Sequence, residues 1–296
     1  RVLVITGDPS FKPGNKRFDM QARGVTELVP LYLGSNAWFP RIPEGTFDVV
    51  TVQDPFWRGL FARQIARSAR THFNVQLHAD FAAQNFLKRM VGRYVLRHAD
   101  SIRVVSEKLK KQVEALGVAA PITVLPIYVD IEPYANLTRT PSTAPLIVWI
   151  GRFEKEKDPL KAIEALKEVL EQGIHAQLVM LGAGKLEKQL RDAAKGLPVE
   201  FPGWQDPKEY LTKASLVLST SPAESWGASI VEALAAHVPT VTFDVGIARE
   251  AGAIITESSK IVDTIISTLQ SPPHIDLKLS LLSEKDWVTE WVESLV

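Results

Sequence analysis

Residues 145–184 read PLIVWIGRFEKEKDPLKAIEALKEVLEQGIHAQLVMLGAG, and this stretch decides the fold. The apolar run Pro145–Gly151 gives way to a charged loop. From Pro159 apolar residues recur three or four apart, and a second apolar run, Ala176–Leu181, closes on glycines. Strand, amphipathic helix and strand in this order make a βαβ unit, in which the helix carries the chain back so that the two strands run parallel. The alternation extends both ways. Downstream come a helix from Lys185, a strand at Leu216–Thr220, a helix near Gly227–Ala236, a strand at Pro239–Phe243 and helices at Ile261–Leu269 and Glu284–Leu295. Upstream, strands at Arg1–Thr6, Val29–Leu33, Asp48–Val52, Phe73–Leu77 and Ser101–Val105 alternate with helices at Arg17–Leu28, Trp57–Arg70, Gln84–His98 and Ser106–Leu116, the last capped by Ser106. Thr138–Pro145 (TRTPSTAP) is polar and aperiodic, and reads as a linker. The expected class is α/β: two doubly wound, Rossmann-like domains over 1–138 and 139–296, with the last helix free to return to the first domain. Open parallel sheets bind ligands beyond the carboxyl ends of their strands, so the expected site is a central cleft faced by both domains.

Bulk properties agree. A chain of 296 residues exceeds the usual single-core size of roughly 100 to 150 residues. It has no cysteine, which removes disulfides and thiolate metal sites and suits a reducing, cytoplasmic interior. No apolar run reaches the ~18 to 20 residues of a membrane-spanning helix, and no signal pattern opens the chain. It starts at Arg1, directly on a strand-like run, so a few leading residues are expected before it. The net charge of zero conceals an asymmetry: residues 1–138 hold 18 Lys and Arg against 12 Asp and Glu, and residues 139–296 hold 16 against 22. That is far from the dense basic stripe of a nucleic-acid binder.

Two segments carry chemistry. In Ser221–Ala233 (SPAESWGASIVEA) a strand ends, Glu224 follows, Gly227 permits close backbone approach, and a helix begins that contains Glu232. Amides at a helix start attract phosphate or hydroxyl oxygens, and glutamates can accept from sugar hydroxyls. Taken alone, Glu224 is a solvated loop residue and Glu232 a helix-surface charge. The second segment, Gly151–Asp158 (GRFEKEKD), places Arg152 and Lys157 in the loop after a strand, where fixed cations stabilise a departing diphosphate. Lys155 with Glu154 or Glu156 reads as a weak surface pair.

Together these segments resemble the GT4 family of glycosyltransferases, which has the two-domain GT-B architecture. The Glu-x7-Glu pair is matched by Glu224 and Glu232, the Gly-Arg-x4-Lys pair by Gly151-Arg152 and Lys157, and a strand-end histidine by Leu77-His78-Ala79-Asp80. Leu181-Gly182-Ala183-Gly184 resembles the family's glycine turn, Val199–Trp204 its next strand and nucleobase loop, and Pro126–Pro133 the end of its N-domain. The resemblance implies that Arg152 and Lys157 hold the donor diphosphate, with Gly14 in the loop where the family has a Gly-Gly turn. It implies that Glu232 binds the donor ribose, that Glu224 and the amides of Trp226 and Gly227 hold the sugar, and that Gly203 and Trp204 border the nucleobase. His78 falls at the reacting face. The other five histidines match nothing. The implied reaction moves a sugar from a nucleotide-diphosphate donor, GDP- or UDP-linked first, to a glycan or lipid-linked hydroxyl. It retains the anomeric configuration and uses no metal or further cofactor; the chain has no Asp-x-Asp, and Asp130-Ile131-Glu132 reads as structural. The chain departs from the family in its single-glycine loop and short N-terminal half.

Other readings remain open. A sugar-nucleotide 2-epimerase shares the architecture but needs carboxylates placed for proton abstraction. A non-catalytic sugar-nucleotide-binding subunit fits the short N-terminal half. A dinucleotide oxidoreductase would use Gly182-Ala183-Gly184, but the third glycine of that fingerprint is missing.

Phe86–Lys111 holds eight Lys or Arg against two acidic residues. Phe86, Met90, Tyr94 and Leu96 can share one helical side, flanked by Lys88, Arg89, Arg93 and Arg97. Such a helix can rest on an anionic membrane. Alternatively, Met90 and Tyr94 cover the sheet and leave a solvated basic face. The expectation is weak, salt-sensitive attachment to anionic vesicles through this half of the chain.

Overall fold

The computed structural model describes residues 1–34 and 41–296. It divides into two compact units, 1–128 with 282–296 and 129–281. In the first, the order is β1 (Val2–Thr6), α1 (Lys16–Ala22), β2 (Leu28–Tyr32), β3 (Val49–Gln53), α2 (Trp57–Ala69), β4 (His72–Leu77), α3 (Phe86–Leu96), β5 (Ser101–Val104), α4 (Glu107–Glu114) and β6 (Ile122–Val124). The second runs α5 (Glu132–Ala135), β7 (Leu146–Ile150), α6 (Pro159–Glu171), β8 (Gln177–Leu181), α7 (Glu187–Ala193), β9 (Val199–Gly203), α8 (Pro207–Leu211) and β10 (Leu216–Ser219). It continues through α9 (Ala228–Ala235), β11 (Thr240–Thr242), α10 (Ala248–Ala251), β12 (Ile254–Ile255) and α11 (Ile261–Gln270). The last helix, α12 (Glu284–Glu293), belongs to the first unit.

Each unit holds a six-stranded sheet, ordered β2-β1-β3-β4-β5-β6 and β12-β11-β10-β7-β8-β9, and the registered pairs are parallel. Central strands are buried along almost their whole length, as in β1 and β7, because helices cover both faces of a parallel sheet. In the second unit α6 and α11 bury Ile163, Leu166, Val169, Ile261 and Ile265 against Trp149, Leu178, Met180 and Leu218. The chain enters α6 through Asp158, at φ 44°, and Pro159, whose fixed φ and missing N–H suit a first helical position.

Three sequence expectations shift. The unit boundary lies at 128/129 rather than 138/139, because Thr138–Pro145 is docked on the second unit: Thr140 N–H donates to Thr212 O at 2.9 Å and Arg139 reaches His237 O at 2.6 Å. The first helix ends at Ala22, not Leu28. A Cβ at Gly24 would lie 2.6 Å from the Val288 side chain, so the chain turns where α12 packs against it. The helix expected from Lys185 begins at Glu187.

Helix α12 completes the first core with Trp287, Trp291 and Leu295. The final carbonyls of a helix have no internal partner. Here buried polar side chains of the sheet partner the C-cap and the residue after it: Asn74 Nδ2 donates to Ser294 O at 2.8 Å and Ser101 Oγ to Leu295 O at 3.0 Å. Trp287 Nε1 donates to Pro126 O at 2.7 Å. Buried Arg103 donates to Leu125 O, Pro126 O and Gln76 Oε1, and its guanidinium lies 5.1 Å from the Trp287 ring. Burial and then Arg17 push its pKa down to about 9.

Candidate functional site

Strand order locates the chemistry of the second unit. Its neighbours β7 and β10 start the two opposite-running halves of the sheet, and such a switch point leaves a crevice beyond the carboxyl ends of the strands. The loop after β7 carries Arg152 and Lys157, and the loop after β10 carries Glu224. The loops are tied together: Thr220 Oγ1 donates to Asp158 O at 2.7 Å and Ser221 Oγ to Glu156 O at 3.1 Å. Trp149 Nε1 steadies Thr220 Oγ1 from below at 2.9 Å.

Lys157 Nζ and Glu224 Oε1 form a direct ion pair, each side chain largely buried. Arg152 instead pairs with Glu156 at 3.0 Å, and both side chains are more than half exposed, at 60% and 56%. Glu154 meets Lys185 at 3.6 Å. The expected partnership of Lys155 with Glu154 or Glu156 is therefore replaced, because the 3₁₀ turn at Lys155–Lys157 directs those carboxylates elsewhere. An exposed pair like Arg152–Glu156 is worth roughly 0 to 1 kcal/mol, so the guanidinium swings readily to another anion.

The glycines of Gly182-Ala183-Gly184 hold this loop. A Cβ on Gly182 would lie 1.8 Å from Gly151 O, and one on Gly184 2.5 Å from Phe153 O. Phe153 N–H donates to Ala183 O at 2.9 Å and Leu186 N–H to Phe153 O at 2.9 Å. These glycines are thus committed to backbone approach by the chain carrying Arg152.

Helix α9 starts after Gly227, at φ 112°, with no capping side chain. Its first amides lack intrahelical partners and face the same edge as Glu224. Trp226 is only 1% exposed, so its indole belongs to the core and only its backbone can meet a ligand. At the end of β9, Gly203 accepts from Gly182 N–H at 3.0 Å, and Trp204 is 59% exposed with its ring free to stack.

Glu232, inside α9, is largely buried. Burial first, then the charge of Asp206, lifts its pKa to about 7 against an opposing hydrogen bond from Tyr134. Tyr134 comes from α5, which packs on α9. Burial and the Glu232 charge raise the phenol's pKa in turn. Sequence reasoning missed this partner.

In the first unit, the His78 and Ala79 amides donate to Asp54 Oδ1 at 2.8 and 3.0 Å, fixing the end of β4. Asp54 sits at φ 70° after β3, and burial raises its pKa despite those bonds. His78 is pushed down to about 3 by burial, then by Arg103 and Arg17, so its ring is neutral. Gly14 has φ 88°, but its amide donates to Asp19 Oδ1 at 3.0 Å and Asn15 caps α1, so the loop's hydrogen bonds turn inward. Among the described residues no group of three or more His, Cys, Asp or Glu is placed to hold a metal.

Known proteins match along most of the chain. Residues 144–271 match the family described as Glycosyl transferases group 1, and residues 11–127 match the Glycosyl transferase 4-like domain. A GDP-mannose-dependent alpha-(1-6)-phosphatidylinositol dimannoside mannosyltransferase of Mycobacterium tuberculosis is 26% identical over 234 residues, covering 73% of this chain and 61% of that protein. The putative teichuronic acid biosynthesis glycosyltransferase TuaC of Bacillus subtilis is 27% identical over 183 residues, covering 58% of this chain and 44% of its own. The chain thus spans about three fifths or less of these curated relatives. Anabaena HepE in complex with UDP and glucose shares the fold, with a TM-score of 0.75 at 15% identity over 99% of both chains.

Proposed function

The chain belongs to the GT4-type glycosyltransferases of the GT-B fold, and on that premise we propose that it transfers a sugar from a nucleotide-diphosphate donor to a hydroxyl acceptor, with retention and without a metal. The observation that carries the reading is the Lys157–Glu224 pair at the switch point of the second unit. It joins a cation suited to a departing diphosphate with a carboxylate suited to sugar hydroxyls.

In this reading Lys157 and Arg152 stabilise the negative charge that grows on the diphosphate as the glycosidic bond breaks. Glu232 accepts from the ribose, Trp204 stacks on the base beside Gly203, and the first amides of α9 with Glu224 hold the sugar. Gly14 keeps only a steric part, as its amide is engaged. The family resemblance assigns His78 to the reacting sugar, where a neutral imidazole can accept or donate a hydrogen bond. Glu224 is engaged by an ammonium, which favours a binding and electrostatic role over nucleophilic attack. Front-side displacement then accounts for retention: the acceptor oxygen bonds to the anomeric carbon as the diphosphate leaves, and a diphosphate oxygen takes the acceptor proton.

The mycobacterial relative is named for GDP-mannose and phosphatidylinositol dimannoside, and HepE is seen with UDP and glucose. Guanosine and uridine donors are therefore the first to test, with glycan and lipid-linked acceptors. Thermal-shift titration of GDP, UDP and their sugars should raise the melting temperature for one base series, since a ligand that binds only the folded state stabilises it by mass action. Incubation with that donor and an acceptor panel should then release the nucleotide. Epimerisation of the donor alone would overturn the transferase reading, and binding without release in every acceptor mixture would favour a non-catalytic subunit.

A further inference from the structure

We propose that the outer face of α3, with the start of α2, docks on an anionic lipid bilayer. Phe86, Leu87, Met90 and Tyr94 enter the interfacial region, and Arg89, Arg93 and Arg97 meet lipid phosphates. The alternative use of Met90 and Tyr94, covering the sheet, is not what the chain does. Helix α3 buries Gly92, Val95 and Leu96 instead, leaving Met90 55% and Tyr94 45% exposed. Leu96 thereby parts from the apolar side expected for it. The inward contact is made by small residues at close range: a Cβ on Gly92 would lie 2.7 Å from the Phe81 ring, and one on Gly59 of α2 2.8 Å from Val95. The large side chains are left outside.

Of the nine large hydrophobics exposed among the described residues, five lie on these two helices: Trp57, Phe86, Leu87, Met90 and Tyr94. Such clustering, unlike scattered exposed apolar residues, marks an interaction surface. Charge identifies the partner. Neither α2 (WRGLFARQIARSA) nor α3 (FLKRMVGRYVL) contains an acidic residue. Arg63 of α2 lies 5.1 Å over the Tyr94 ring and Lys88 5.6 Å over Phe56, so cations border the aromatic groups. Exposed apolar residues interleaved with Arg and Lys fit the boundary between acyl chains and anionic headgroups. No helix among the described residues is long and apolar enough to cross a membrane.

The test is flotation with vesicles of phosphatidylglycerol and phosphatidylcholine, compared with phosphatidylcholine alone, at low and high salt. The intact chain is compared with F86S/M90S and R89E/R93E; M90S and R93Q serve if either double variant melts early. The expected result is flotation with anionic vesicles at low salt. Partitioning should fall at least ~10-fold in high salt, without anionic lipid, or in either variant. Absence of flotation at low salt, or variants that float like the parent, would overturn the proposal. So would a dimer, abolished by F86S/M90S, in a protein that binds no vesicle; that outcome would assign this face to a second copy of the chain.

Discussion

Lys157 and Glu224, separated by 67 positions, are held as an ion pair at the carboxyl edge of the second sheet. The pairing follows from strand order: β7 and β10 are neighbours although β8 and β9 intervene in the chain, so their following loops meet. The cation that would meet the diphosphate and the carboxylate that would meet the sugar therefore orient one another. Removing either leaves a mostly buried charge without its partner, a cost beyond the lost attraction.

Lys157→Ala and Glu224→Ala should accordingly act non-additively. Loss of a preorganised electrostatic partner costs about 2 to 4 kcal/mol in the transition state. The double variant should lose less than the sum of the singles, with coupling of roughly 0.5 to 3 kcal/mol. Measuring kcat/KM around the cycle checks this, and strict additivity would show that the pair does not act as a unit.

Arg152 offers a contrast, since its pair with Glu156 is exposed. Arg152→Ala should leave the melting temperature nearly unchanged while lowering kcat/KM by about 2 to 4 kcal/mol. Activity should persist in excess EDTA. Loss of turnover in chelator that magnesium restores would require a metal in the reaction.

Glu232 predicts a pH signature. Its folded pKa of about 7 lies above its ordinary 4.5, so between these values the folded chain holds a proton that the unfolded chain has released. The group's contribution to stability falls as pH rises from 4.5 to 7 and is constant above, a total on the order of 3 kcal/mol. Glu232→Gln removes the titration. Relative to the parent it should gain stability across that window in urea melts, and an unchanged difference between pH 4.5 and 7.5 would contradict the assignment. Nucleotide affinity should follow the opposite course, strengthening as Glu232 ionises, because a carboxylate accepts ribose hydroxyls better than a carboxylic acid does. Tyr134→Phe deletes the bond that favours the ionised form and should weaken binding near neutral pH.

Why Glu232 was legible and Tyr134 was not is a matter of range. The parallel strands were readable because burial on both faces makes β1 and β7 almost continuous apolar runs, although β4 (HFNVQL) buries Asn74 and Gln76 among its apolar residues. Edge strand β6 is only half-buried and three residues long, too short to show a pattern. Arg152, Lys157, Glu224 and Glu232 stood out because their spacing within two short segments matches the paired motifs of the family they resemble. Tyr134 sits in a four-residue helix with no periodicity, and its relation to Glu232 exists only once α5 packs on α9. Asp54 was missed similarly, since nothing around it signals that β3 and β4 would bring it under the His78 amide. The boundary at 128/129 was hidden because TRTPSTAP has a linker's composition, yet its amides find partners at Thr212 and Lys213.

The return of α12 yields the last prediction. Trp291 is fully buried in the first unit, with its Nε1 3.4 Å from Gln76 Oε1, beneath the carbonyls that Asn74 and Ser101 cap. Trp291→Ala removes a large side chain from a closed core, where such changes cost about 3 to 5 kcal/mol. That is a large share of the roughly 5 to 15 kcal/mol that holds an ordinary domain folded. The loss should concentrate in the first unit, because the second has its own sheet and core. Hydrogen exchange read by mass spectrometry should show faster exchange in β4 and β5 while β7, β8 and β10 keep their protection. Equal loosening of both sheets would mean that the units unfold as one, and a stability change below about 1 kcal/mol would mean that α12 is not part of the first core.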